Sequence, residues 1–274
     1  MPAIADIEQI EASLTYLVAN GEQPYAYTHE PPAGRPRRSG QYEPRKVLVR
    51  DARPSAGRLS LDREGFVLRR HASSVTDFRD EAMLRNVYYP EAEGLIRAAT
   101  GATAVLTFDY TIRTSALSDR ADNGLREPAS RIHNDYTERS APQRVRDLLP
   151  PAEAEARLRR RYAEFNVWRP IRGPVQAWPL ALCDAQSIAP DDLVVSELRY
   201  PDRIGETYAV TYSPRHRWFY FPRMQTDEVV LLKCFDSARD GRARLAVHTA
   251  FEDPTTPTGA PPRESIEIRM FAFF

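Results

Sequence analysis

Apolar residues recur at three- and four-residue steps near the start of the chain, at Ile4, Ile7, Ile10, Leu14 and Leu17. This spacing predicts a helix over residues 3–18. The periodicity stops between Gly21 and Ser60, where Pro24, Pro31, Pro32, Pro36, Pro44 and Pro54 predict an extended arm that packs over a body. Phe66-Val67-Leu68, following Gly65, predicts a short strand. Residues 75–98 place Phe78, Met83, Leu84 and Val87 on one side of a helix, which Pro90 is expected to break in two.

After Gly101 the texture changes. Residues 104–113 and a short run around 132–136 predict strands, while residues 142–149 and 152–165 predict helices, the second opened by Pro150-Pro151. Six strand-like runs then follow at short intervals: 193–200, 207–212, 218–221, 228–235, 245–251 and 265–273. Turn signals such as Pro201-Asp202, Ser213-Pro214, Asp240-Gly241 and Asp253-Pro254 separate them, which predicts a β-sandwich or barrel. The expected fold is therefore mainly β with flanking helices. Residues 1–65 form an N-terminal helix and arm, and residues 66–274 form the main domain with a helical insert at about 141–165.

Composition narrows the partners. The 38 basic and 38 acidic residues cancel, which leaves no electrostatic footprint for nucleic acid or an anionic membrane. The run Arg159-Arg160-Arg161 reads as a solvated helix end. Cys183 and Cys234 sit in apolar runs, where a free thiol behaves as a small hydrophobe, and two cysteines make no disulfide framework. The N-terminus carries Asp6 and Glu8 and lacks the order of a signal peptide, and no apolar run reaches membrane-spanning length. A soluble cytoplasmic protein acting on a small molecule is the expectation, as a homodimer or beside a biosynthetic partner enzyme.

The chemistry rests on five histidines: His29, His71, His133, His216 and His248. His133-Asn134-Asp135 is a His-x-Asp pair, and alternate residues near a strand end point the same way. About 0.7 such pairs are expected by chance in this composition, so the pair alone is weak. His248 lies in the apolar run Leu245-Ala246-Val247 near the end of a β-rich chain and is the candidate second imidazole; a buried core histidine is the competing reading. Two imidazoles and one carboxylate on one face of a metal, with the opposite face open, suit a non-haem iron(II) oxygenase. A zinc hydrolase could use the same three residues, with Glu138 or Asp147 as base. His216, between Arg215 and Arg217, is the competitor of His248, and His29 and His71 read as structural or pocket-lining.

A cosubstrate carboxylate would need a cation, and arginine forks onto a carboxylate through two parallel hydrogen bonds. Arg263-Glu264-Ser265 offers Arg-x-Ser at the start of the final strand, with Lys233 and Arg169 as fallback anchors. Tyr136, Trp168, Arg169, Trp178, Trp218 and Tyr220 are candidates for the substrate wall. No Gly-x-Ser-x-Gly elbow, P-loop or Gly-x-Gly-x-x-Gly occurs.

Several ordered blocks resemble the asaB-like hydroxylase/desaturase family, which includes gibberellin desaturase-like proteins and the small partner protein of cephamycin 7α-methoxylation. They are His133-Asn134-Asp135-Tyr136-Thr137, Asn166-Val167-Trp168-Arg169-Pro170, Pro179 to Asp184, His216-Arg217-Trp218, Asp227 to Ser237, and His248-Thr249-Ala250-Phe251 to Arg263-Glu264-Ser265. The resemblance implies a distorted double-stranded β-helix of the jelly-roll or cupin kind. It further implies iron(II), 2-oxoglutarate and dioxygen, and the hydroxylation or desaturation of a secondary-metabolite-like small molecule. By the same resemblance His133, Asp135 and His248 are ligands, and Arg263 anchors the cosubstrate. Two other readings stay open: an iron oxidase that does not use 2-oxoglutarate, and a non-catalytic accessory protein.

Overall fold

Side chains alternate along Gln9–Leu17 (β1), with Ala12, Leu14 and Tyr16 buried while Glu11 and Ser13 are exposed. The computed structural model describes residues 8–116 and 125–274. β1 pairs antiparallel over its whole length with Tyr42–Asp51 (β3), after a short β2 at Tyr25–Tyr27. The helix expected at residues 3–18 is therefore a strand from Gln9 onward, and residues 3–7 lie outside the described residues. The helical spacing of Ile10, Leu14 and Leu17 yields to a period of two, because pairing with β3 satisfies the backbone and buries one face. The proline-rich arm likewise supplies sheet rather than a loose cover.

Phe66–Arg70 (β4) leads into a helical layer. Asp80 caps the short Glu81–Met83 helix (α1), Leu84–Tyr88 forms a π turn, and Tyr89–Thr100 (α2) ends on Gly101 in the left-handed region. Pro90 does not break the helix as expected. It occupies the first turn of α2, and the π turn, closed by the Tyr89 N–H to the Leu84 carbonyl, absorbs its missing donor.

The remaining elements are Ala104–Thr114 (β5), His133–Asn134 (β6), Ser140–Leu148 (α3), Pro151–Leu158 (α4), Tyr162–Pro170 (β7) and Leu180–Cys183 (β8). Then come Leu193–Arg199 (β9), Ile204–Val210 (β10), Trp218–Tyr220 (β11), Glu228–Asp236 (β12), His248–Ala250 (β13) and Glu264–Phe273 (β14). The expected helix at residues 152–165 stops at Leu158. Residues from Tyr162 onward pair with both β12 and β14, and that pairing overrides local propensity.

The strands form a nine-stranded sheet in the order β1-β3-β11-β8-β13-β6-β10-β9-β2 and a five-stranded sheet in the order β4-β12-β7-β14-β5. Leu180, Leu182, Trp168, Val230, Leu232, Phe271 and Phe273 meet between the sheets. On the far side of the small sheet, Val167, Leu231, Ile266 and Ile268 pack with Leu84, Tyr88 and Ile96 of the helical layer. On the far side of the large sheet, Ala181, Cys183, Trp218 and Tyr220 pack with Tyr16 and Val49. This is a distorted double-stranded β-helix with three apolar layers. Because side chains alternate, each odd or even residue of β7 belongs to a different layer. Among the described residues no helix is long and apolar enough to cross a membrane.

Candidate metal centre

His133 of β6 pairs directly with His248 of β13, and His248 in turn pairs with Leu182 of β8. Residues opposite one another on adjacent strands present side chains to the same face, here the inner one. The two imidazole centroids lie 4.5 Å apart. Asp135 follows two residues after His133, with its Oδ1 3.5 Å from His133 Nε2. Candidate donor atoms of His133, Asp135 and His248 all lie within 4.8 Å of one another.

The backbone sets the tautomers. His133 Nδ1 lies 2.8 Å from the Arg131 carbonyl, and His248 Nδ1 lies 2.8 Å from the Ala246 carbonyl. A carbonyl only accepts, so both Nδ1 atoms carry the proton and both Nε2 lone pairs are left for a metal. Asp135 is oriented in the same way: its Oδ2 accepts from Asn166 Nδ2 at 2.9 Å and from Arg269 Nε at 3.1 Å, leaving Oδ1 toward the histidines. Burial opposes the Asp135 charge, yet Arg269 and the two imidazoles outweigh it and hold the carboxyl well below the usual range. His133 is depressed to about 4 by burial and by His248, with Asp135 pulling the other way. Two neutral imidazoles and one ionised carboxylate are the donor set that suits iron(II). His133 and Asp135 open onto a cleft of about 1150 Å³, whereas His248 is 3% exposed.

Arg263 lies just before β14, with its guanidinium 5.6 Å from the Trp168 ring centroid and its Nη1 donating to the Trp178 carbonyl at 2.7 Å. Its Nε and the Ser265 hydroxyl are buried without a partner. Burial, then Arg113, lowers the Arg263 pKa to about 9, with Glu267 opposing. A buried guanidinium that faces no carboxylate partner and keeps its Nε unpartnered, together with a buried unpartnered hydroxyl, fits an incoming carboxylate.

Other expected site residues are placed differently. Arg169 points to the helical layer, against the paired rings of Phe78 and Tyr88, and not into the interior. Lys233 is held by Asp62 and Asp236, at 2.5 and 3.1 Å. Trp218 and Tyr220 face outward from the large sheet, Trp218 donating to Tyr16 Oη at 2.7 Å and Tyr220 packing on Phe251. His216 belongs to the same outer layer, bound to Tyr16 Oη at 3.1 Å and to Asp192 at 3.2 Å. Tyr136 lines the cleft, and Trp168 faces the interior beneath Arg263.

Three interior residues escaped sequence reasoning: Asn166, Arg269 and Glu164. Arg269 reaches Asp135, Thr111 and Asp109, and also pairs with Glu267. A signal for it existed, since Ser265, Glu267 and Arg269 are polar at alternate positions of the final strand, with Ile266 and Ile268 between them. Glu164 is fully buried and its pKa is pushed well up by burial and by Asp135.

Comparison with known proteins places the chain in a family. A family model described as an oxidoreductase/YMDC permease-like domain matches residues 14–273. The chain is 34% identical over 256 residues to hydroxylase/desaturase efuI of Hormonema carpetanum, covering 85% of each. It is also 34% identical over 255 residues to the Fe(II)/2-oxoglutarate-dependent dioxygenase nvfI of Aspergillus novofumigatus, covering 90% of each. The solved structure of iron and alpha-ketoglutarate-dependent endoperoxidase NvfI superposes with a TM-score of 0.87 at 29% identity, over 97% of this chain and 98% of that one. The chain therefore belongs to the hydroxylase/desaturase family of non-haem iron(II)- and 2-oxoglutarate-dependent oxygenases.

Proposed function

We propose that His133, Asp135 and His248 hold one iron(II) ion and that Arg263 and Ser265 hold the distal carboxylate of 2-oxoglutarate, in an enzyme that hydroxylates or desaturates a secondary-metabolite-like small molecule. The observation that carries this reading is the convergence, within 4.8 Å, of two imidazoles and one carboxylate oxygen, with His133 and Asp135 lining a single cleft and His248 buried behind them. When bound, iron(II) with 2-oxoglutarate and dioxygen supplies a two-electron oxidation of substrate, coupled to decarboxylation of the cosubstrate to succinate.

The chain's own residues bind, orient and exclude water. The carbonyls of Arg131 and Ala246 fix the imidazoles, and Asn166 with Arg269 fixes Asp135. Trp168 covers one side of the Arg263 guanidinium and keeps it dry, which strengthens a carboxylate pair there. The substrate occupies the cleft, where Tyr136 stands beside the ligands and Tyr25 and Tyr42 supply part of the far wall. Residues 66–274 thus form the catalytic domain, and the preceding arm closes its cleft and extends its large sheet.

The test is anaerobic titration with iron(II) and then 2-oxoglutarate, read by the visible absorption band of the ternary complex, in wild type and His248→Ala. Wild type should develop the band and His248→Ala should not. A band of equal intensity in both would remove His248 from the ligand set.

A further inference from the structure

On the face of β7 opposite the metal centre, four polar atoms are buried without a hydrogen-bond partner: Arg169 Nε and Nη1, Tyr88 Oη and His71 Nδ1. We propose that they form a binding site for a small monovalent anion such as chloride, set between the small sheet and the helical layer.

Arg169 is fully buried. Its Nη2 donates to the carbonyls of His71 and Thr226, the latter at 3.1 Å. Among the described residues those carbonyls are its partners, and no carboxylate reaches it. Glu91, the nearest candidate by electrostatic influence on His71 and Tyr88, is engaged by the Ser73 hydroxyl at 2.6 Å and the Ser74 N–H at 2.8 Å. The rings of Phe78 and Tyr88, edge to face with centroids 5.1 Å apart, lie 5.7 and 5.3 Å from the guanidinium and shield it on one side. Tyr88 Oη stands beside the guanidinium without a well-formed hydrogen bond.

A guanidinium offers donors only, and a phenol and an imidazole can each offer one more. Four unpartnered polar atoms around one buried cation call for an acceptor with several lone-pair directions. Water would satisfy some of these donors but leave a buried positive charge uncompensated, which is severely unfavourable. An anion satisfies the donors and the charge together. Its cage joins the segment after β4, the π turn and the loop before β12, so binding braces the helical layer against the sheet. The site is independent of the oxygenase reading, because β7 separates it from the interior.

Crystals soaked in sodium bromide test the placement. Anomalous density is expected within hydrogen-bond distance of the Arg169 guanidinium and Tyr88 Oη. Thermal unfolding of the iron-free protein in chloride and in gluconate at equal ionic strength tests the energetics. Chloride should raise Tm by a few degrees in a saturable manner. Tyr88→Phe, which keeps the ring and removes one donor, should raise the half-saturating chloride concentration about tenfold. Arg263→Leu should leave it unchanged, which separates this site from the arginine at the metal centre. Absence of bromide density at Arg169, or an identical chloride response in Tyr88→Phe, would overturn the proposal.

Discussion

Arg269 Nε donates to Asp135 Oδ2 across 3.1 Å, and Asn166 Nδ2 donates to the same oxygen at 2.9 Å. One carboxylate oxygen is thereby tied back to two strands of the small sheet, so the other is aimed at the imidazoles carried by the large sheet. Groups that orient a metal ligand are commonly worth about 10–100-fold in metal affinity. Asn166→Ala should therefore weaken iron(II) binding by about that factor while leaving the fold intact. Arg269→Met removes the cation as well and strands the buried Glu267, so it should cost stability in addition. Anaerobic iron titration alongside denaturant unfolding separates the two effects. An unchanged iron dissociation constant in Asn166→Ala would mean that Asp135 needs no second hand to hold it.

His133 titrates near 4 rather than near 6.5, because burial and His248 both disfavour its charged form. In the unfolded chain the same imidazole takes a proton near 6.5. The unfolded state therefore binds more protons between about pH 6.5 and 4, and stability falls as pH falls through that window. In the iron-free protein, the His133 ring nitrogens should show the neutral form at pH 5.5 by NMR. A midpoint at pH 6 or above would contradict the buried environment described for this ring.

Arg53 forks onto Glu228, with Nη1–Oε1 and Nη2–Oε2 distances of 2.8 Å, while its Nε donates to the Pro222 carbonyl at 2.7 Å. This pins the segment after β3 to β12 of the other sheet. Glu228 is 2% exposed, so Arg53→Ala would leave a buried carboxylate with the Gln225 N–H but without its bidentate cation, at a cost of about 2–4 kcal/mol near pH 7. The hydrogen bonds from Arg53 depress the Glu228 pKa below its usual 4.5, so the stabilisation is fully present above that value and is lost as pH falls further. The gap between variant and wild type in urea unfolding should therefore shrink from pH 7 to pH 3.5. A gap that does not change with pH would mean that the ion pair is not its source.

The strand pattern of the C-terminal half was legible because turn residues punctuate it, and the His-x-Asp pair was legible because two residues on one strand end share a face. What sequence could not supply was which face is inner. Trp168 and Arg169 are neighbours, so only one can look into the interior, and pairing of Trp168 with Glu267 selects the tryptophan. Trp218 and Tyr220 share a face, but Phe219 between them takes the inner one. A shift of one residue reverses every such assignment, and the strand partners that settle it lie far away in sequence. The N-terminal helix failed for the same reason: its partner strand, at Tyr42–Asp51, lay in a segment whose prolines concealed it.

The same alternation underlies the expectation for Arg263. Ser265, Glu267 and Arg269 follow it at steps of two, and all face the interior. Arg263 has one nitrogen on the Trp178 carbonyl and another with no partner, and the Ser265 hydroxyl is also free. Bringing a carboxylate to this pair would form a charge-assisted bond in a dry site, where it is worth more than a neutral one. Arg263→Leu removes the cation, keeps an apolar contact with Trp168 and leaves His133, Asp135 and His248 untouched. The dissociation constant for 2-oxoglutarate should rise at least about 100-fold, from the loss of roughly 3 kcal/mol of charge-assisted bonding. Iron affinity should change little. Ser265→Ala should show a smaller rise, about 5-fold, for one neutral hydrogen bond. Anaerobic titration of the iron–cosubstrate absorption band reads all three constants. If Arg263→Leu binds 2-oxoglutarate as tightly as wild type, the anchor lies elsewhere, and Arg113, whose strand register places it opposite Ser265, becomes the cation to replace next.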